Sequence, residues 1–133
     1  VTTLLRMVVS GLFDEVPQLK LVLGHLGEGL PFLMERIENR IKFLPNPALQ
    51  CKQDLGYYFR NNIWVTTSGN MAKEAFQCTK DVLGMDHILF ASDYPYESLE
   101  DMMAFLGQLP LSQEETEQLY FRNAQQALGI PQI

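Results

Sequence analysis

Residues 63–93 read IWVTTSGNMAKEAFQCTKDVLGMDHILFASD, and this stretch decides the fold. Ile63-Trp64-Val65-Thr66-Thr67 is a run of β-branched and aromatic residues stopped by Ser68-Gly69, the composition of a strand. Segment 71–83 then reads as a helix, with Asn70 as its expected N-cap and Gly84 as its C′ stop. Ile88-Leu89-Phe90-Ala91 is a further short apolar run, closing at Ser92-Asp93. Strand, helix and strand follow one another, and both strands are continuous apolar runs with no polar alternation. That pattern belongs to a parallel sheet covered by helices, an α/β fold.

Working outward, Leu21-Val22-Leu23 is another apolar run, ending at Gly24-His25, and it reads as a buried strand. Residues 31–44 take helical spacing through Phe32, Leu33, Ile37, Ile41 and Leu44; Pro31 suits the first turn, and Pro45 and Pro47 end the run. The polar stretch 45–56 is the one candidate linker, so a single unit is expected. Towards the N-terminus, Val1, Leu4, Leu5, Val8 and Leu12 share a helix face with no N-cap ahead of them, so the chain is expected to begin inside an element, as a fragment does. Towards the C-terminus, one helix runs through Leu99, Met102, Met103 and Leu106. Another is opened by a Ser112-x-x-Glu115 capping box and closed by Gly129.

The 133 residues are 47% hydrophobic and 20% charged, ordinary for one globular domain. A net charge of −6 with no basic stripe argues against a nucleic-acid partner, and no apolar run is long enough to suggest a membrane span. A small-molecule partner is expected. Cys51 and Cys78 lack CxxC spacing and read as reduced thiols of a cytoplasmic protein.

The strands end in polar residues: His25 with Glu28, then Thr66-Thr67-Ser68, then Ser92-Asp93. In a parallel α/β barrel these ends share the active-site face. His25 and Glu28, three apart on a Gly-flanked turn, are spaced so that the carboxylate can accept an imidazole N–H and hold one tautomer, leaving the ring able to carry a proton. Asp93 is suited either to a cap or ion pair or to a hard divalent cation. His87 precedes its strand and should lie at the opposite end as a structural residue. Gly24-x-x-Gly27-x-Gly29 is not a dinucleotide fingerprint, because a His and a Glu stand where the backbone would approach a pyrophosphate.

Three blocks, Gly11-Leu12-Phe13-Asp14-Glu15-Val16-Pro17, Gly24-His25-Leu26-Gly27-Glu28-Gly29-Leu30-Pro31 and Ala91-Ser92-Asp93-Tyr94-Pro95-Tyr96-Glu97-Ser98, together resemble the amidohydrolase-2 group. The closer resemblance is to its γ-resorcylate, 2,3-dihydroxybenzoate and 5-carboxyvanillate decarboxylase branch, and the closing Asn123-Ala124 to Leu128-Gly129-Ile130 matches as well. The resemblance implies a TIM barrel, of which residues 1–133 are the C-terminal portion with about three βα units; a whole barrel needs about 250 residues. It implies that Asp93 binds a divalent metal ion, zinc or manganese, that His25 works beside the metal on the substrate, and that Glu28 orients His25. Arg36 resembles an arginine that reaches a neighbouring subunit's site to hold a substrate carboxylate, which implies a homo-oligomer; its other reading is a solvated helix arginine paired with Glu35 or Glu38. The remaining metal ligands would precede Val1. The implied activity of the parent enzyme is non-oxidative decarboxylation of a hydroxylated aromatic acid. Hydrolysis of an amide or lactone on the same scaffold is the alternative, and a third reading is an inactive fragment that pairs through its open sheet edges.

Overall fold

Ile63, Trp64 and Val65 are each less than 5% exposed, and the strand they belong to, Ile63–Thr66 (β2), is central in a three-stranded parallel sheet. Leu21–Leu23 (β1) lies on one side of it and Ile88–Leu89 (β3) on the other, in the order β1-β2-β3. Leu21, Val22 and Leu23 stand opposite Ile63, Trp64 and Val65, and Val65 and Thr66 opposite Ile88 and Leu89. The structure, a computed structural model, describes residues 1–43 and 49–131. Leu44, Pro45 and Pro47, expected to finish the second helix, lie outside the described residues.

The side-chain alternation of the strands divides the sheet into two faces. Ile63, Val65 and Ile88 join the main core with Leu4, Val8, Phe13, Leu26 and Phe76. Val22, Trp64 and Leu89 point the other way, where Trp64 and Leu89 meet Ala127 and Val22 is 46% exposed. The expectation that β1 is buried therefore fails at Val22, because nothing among the described residues covers that end of the second face.

The helices are Thr2–Val9 (α1), Leu12–Glu15 (α2), Leu30–Phe43 (α3), Leu55–Asn62 (α4), Lys73–Leu83 (α5), Leu99–Leu106 (α6), Gln113–Glu117 (α7) and Asn123–Leu128 (α8). The amphipathic run from Val1 to Leu12 is broken where Gly11 turns left-handed at φ 81°, and the loop at Gln50 packs over the break, with its N–H on the Val9 carbonyl. Helix α4 takes in the last two residues of the candidate linker 45–56, Leu55 and Gly56. Leu55, Tyr58, Phe59 and Asn62 are buried at helical spacing, and Asp54 caps the helix by accepting from the Tyr57 N–H at 2.7 Å. The Asn70 cap also fails: its carboxamide oxygen accepts from Ala72 N–H in a tight turn, and α5 starts at Lys73 behind Ala72. The Ser112–Glu115 capping box is present, and the helix it opens passes through a π turn at Gln118–Arg122 before Gly129 ends it at φ 66°.

Two contacts extend the short β3. The Thr67 hydroxyl donates to the Ala91 carbonyl at 2.7 Å and accepts from the Ala91 N–H at 3.0 Å, so a side chain continues the ladder past Leu89. On the outer edge, the Phe90 N–H donates to the Leu119 carbonyl in the π turn, and the buried Asn123 amide donates to the carbonyls of Met85 and Ile88. Among the described residues no helix is long and apolar enough to cross a membrane.

Candidate active site

The chain leaves β1 in an uncommon conformation. His25, Leu26, Gly27, Glu28 and Gly29 all have positive φ, between 52° and 81°, forming a left-handed turn closed by Gly27 N–H on the Gly24 carbonyl and Glu28 N–H on the His25 carbonyl. Left-handed backbone costs a side-chain-bearing residue roughly 1–2 kcal/mol, and three such residues adopt it here. The surroundings hold them there. Leu26 is buried in the core, and its carbonyl accepts from the Thr79 hydroxyl of α5. Gly27 has no alternative, because a Cβ would stand 3.0 Å from the Pro31 ring and 3.4 Å from Val65. The His25 N–H donates to the Ser68 hydroxyl at 3.2 Å, tying the turn to the end of β2.

This backbone puts the two side chains of the turn on one side. The His25 Nδ1 lies 2.7 Å from Glu28 Oε1, and its Nε2 lies 3.4 Å from Asp93 Oδ2, across 68 residues of sequence. Asp93 is itself left-handed at φ 78°, and its carbonyl accepts from the N–H groups of Tyr96 and Glu97. The hydrogen bond to Glu28 raises the His25 pKa above its ordinary value, the bond to Asp93 raises it further, and burial opposes both. His25 thus stands between two carboxylates with its ring 42% exposed, able to hold a proton and to exchange it with something entering from solvent.

Gly69, which the sequence marks only as a strand stop, makes this approach possible. A Cβ there would lie 2.8 Å from His25 Cδ2 and 3.1 Å from Asp93 Oδ2. Ser68 was legible as a strand-end hydroxyl, but its bond to His25 was not.

Among the described residues no group of three or more His, Cys, Asp or Glu side chains could hold a metal ion. The donor chemistry fits part of a site: Asp93 offers a hard carboxylate oxygen at a partly exposed strand end, faced by an imidazole nitrogen. Arg36 does not join this cluster. It is exposed on α3 beside Phe32, Arg40 and Phe43, and among the described residues it makes no ion pair; Glu38 instead accepts from the Leu55 N–H. His87 lies at the opposite end of β3, donating from Nε2 to the Arg60 carbonyl and stacking on Trp64 at 5.3 Å.

Residues 1–130 match the family described as Amidohydrolase. Among curated proteins, the chain is 36% identical over 122 residues to a gamma-resorcylate decarboxylase of Polaromonas sp., covering 91% of this chain and 37% of that protein. Among solved structures, it resembles a dihydroxybenzoic acid decarboxylase from Polaromonas sp. with bound manganese and 2-nitroresorcinol, with a TM-score of 0.87 and 34% identity over 97% of this chain and 39% of the other. It likewise resembles a 5-carboxyvanillate decarboxylase from Novosphingobium aromaticivorans complexed with manganese and 4-hydroxy-3-methoxy-5-nitrobenzoic acid, with a TM-score of 0.87 and 27% identity over 95% of this chain and 37% of the other. The chain therefore spans under two fifths of each of these relatives, and its three parallel strands with their helices are part of a TIM barrel.

Proposed function

Since the chain belongs to the amidohydrolase family, we propose that it is the C-terminal portion of a divalent-metal-dependent decarboxylase that acts on a hydroxylated aromatic acid. The observation that carries this reading is the chain of contacts Glu28–His25–Asp93, at 2.7 and 3.4 Å, across the C-terminal ends of β1 and β3. Asp93 would hold the metal, together with ligands from the rest of the full-length protein. Such an ion, like the manganese of the two solved relatives, would supply Lewis-acid charge stabilisation and help to orient the substrate.

The chain's own residues handle the proton. Glu28 holds the Nδ1 side of His25 and fixes its tautomer, which leaves Nε2 turned towards Asp93. The bonds to Glu28 and Asp93 raise the basicity of the ring above its ordinary value, which favours its holding a proton. In this reading His25 helps deliver a proton to the ring carbon that bears the carboxylate. The bond from that carbon to the carboxylate then breaks, its electron pair returns to the ring, and carbon dioxide leaves. Arg36, exposed on α3 between two exposed phenylalanines, would reach a neighbouring copy's substrate carboxylate in a homo-oligomer. Two free cysteines suit a cytoplasmic setting.

The test uses the full-length protein loaded with manganese and offered 2,6-dihydroxybenzoate and related hydroxybenzoates, with aromatic amides and lactones alongside. Carbon dioxide release is expected from at least one acid. Amide or lactone turnover without carbon dioxide would replace the decarboxylase reading with a hydrolase.

A further inference from the structure

We propose that Ser68, backed by Thr66, is a positioning residue for His25, an inference that rests on the decarboxylase reading above. His25 sits on a backbone that its residue type disfavours, so something outside the turn must hold it. Within the turn, its carbonyl accepts from Glu28 N–H and its ring is bonded to Glu28, so these ties move with the turn and cannot anchor it, and the tie to Asp93, at 3.4 Å, holds the tip of the ring and not the backbone. The N–H of His25 points out of the turn, and its partner among the described residues is the Ser68 hydroxyl. Ser68 is buried, and its oxygen lies 2.7 Å from the Thr66 hydroxyl on the central strand. The path from the rigid sheet to His25 is therefore Thr66 Oγ1, Ser68 Oγ and the His25 amide. Thr79, which bonds the Leu26 carbonyl, is one residue further from the ring and supports the turn rather than His25 itself.

The consequence is specific. Gly69 follows Ser68 and packs against the edge of the imidazole and the carboxylate of Asp93, so the residues that set the height of His25 also border the gap between it and Asp93. Loss of the Ser68 hydroxyl releases the His25 amide, while Leu26 and Thr79 still hold the rest of the turn, and lets the ring shift relative to the substrate. Turnover should fall while substrate affinity, set elsewhere, should not.

The experiment compares Ser68→Ala, Ser68→Thr and Thr66→Val in the manganese-loaded full-length protein, using the hydroxybenzoate that the unaltered protein turns over fastest. A displaced proton-transfer group costs roughly 10- to 100-fold, so Ser68→Ala should lower kcat in that range with KM little changed. Manganese content should stay at the unaltered level, and Ser68→Thr, which keeps the hydroxyl, should restore most of kcat. Hydrogen exchange of the His25 amide should speed up in Ser68→Ala and stay slow in Ser68→Thr. An unchanged kcat in Ser68→Ala, or a Thr variant as slow as the Ala variant, overturns the proposal. If Ser68→Ala does not fold, Thr66→Val decides the matter, and full activity there overturns the proposal. If the unaltered protein releases no carbon dioxide, the decarboxylase reading fails by itself; amide exchange then decides the tether, and an unchanged His25 rate in Ser68→Ala overturns it.

Discussion

At the scale of single residues, the site depends on what position 69 lacks. Gly69 adopts φ 62°, and an added methyl would meet both His25 and Asp93. Gly69→Ala should therefore lower stability by roughly 1 kcal/mol or more from the backbone alone, measured by denaturant unfolding. It should also lower turnover by widening the 3.4 Å approach of Nε2 to Oδ2; unchanged turnover would show that the approach has no part in the reaction. His25, Glu28 and Asp93 were legible in the sequence because each follows a short apolar run, so its place on the sheet is set by the strand before it. Gly69 and Ser68 were not legible in their roles, because those depend on which residue, some forty positions away, the sheet brings against them. The left-handed turn was hidden for a related reason. His, Leu and Glu ordinarily avoid positive φ, and only the packing of Leu26, Gly27 and Ser68 around the turn enforces it.

At the scale of elements, the three strands could be read, and β1 to both its ends, but the ends of β2 and β3 could not. β3 has two residues in regular pairing because the Thr67 side chain and the π-turn carbonyl of Leu119 take over where the ladder stops, and neither partner is local in sequence. Helix α4 was readable in principle: Asp54 precedes Leu55, Tyr58 and Phe59 at helical spacing, but Gly56 and the Asn61-Asn62 pair obscured the pattern. Helices α5 and α7 are joined by an ion pair between Lys80 and Glu115, which holds the Glu115 carboxyl below its ordinary value, with the Ser112 N–H helping. A lowered folded-state pKa means that the contribution is present above the unfolded value and lost as pH falls through the folded one. Glu115→Gln should thus reduce full-length stability at pH 7 by about 0.2–1 kcal/mol, and the difference should shrink as pH drops below about 4.5. A difference that stays constant as pH falls would point to lost packing instead of lost charge.

At the scale of the whole molecule, the second face of the sheet is half covered: Trp64 and Leu89 meet Ala127, while Val22 stands open beside them. Together with the span of under two fifths of its relatives, this makes the chain one sector of a barrel whose interior needs the other strands. Prepared alone, the chain should bind manganese weakly, since a carboxylate and an imidazole are too few ligands, and it should self-associate with rising concentration through its open face. Titration calorimetry and sedimentation check both; tight binding of one ion per monomer would contradict the division of ligands proposed here. That the three strands are parallel and covered by helices was foreseeable from their order and composition; that they form part of a barrel followed from the resemblance carried by the three sequence blocks. The open face was not, because an apolar run does not reveal which of its neighbours are present. In the proposed reaction Asp93 and His25 would act together to exchange a carboxylate for a proton on an aromatic ring. That joint action is tested most directly by running the manganese-loaded full-length protein in deuterium oxide and reading the product by NMR. One deuterium at the carbon that bore the carboxylate is expected, with carbon dioxide released in equal amount. His25→Gln should be slower by about 10²-fold or more, and Asp93→Ala should be inactive. Undiminished deuterated product from the Asp93→Ala protein would contradict the account.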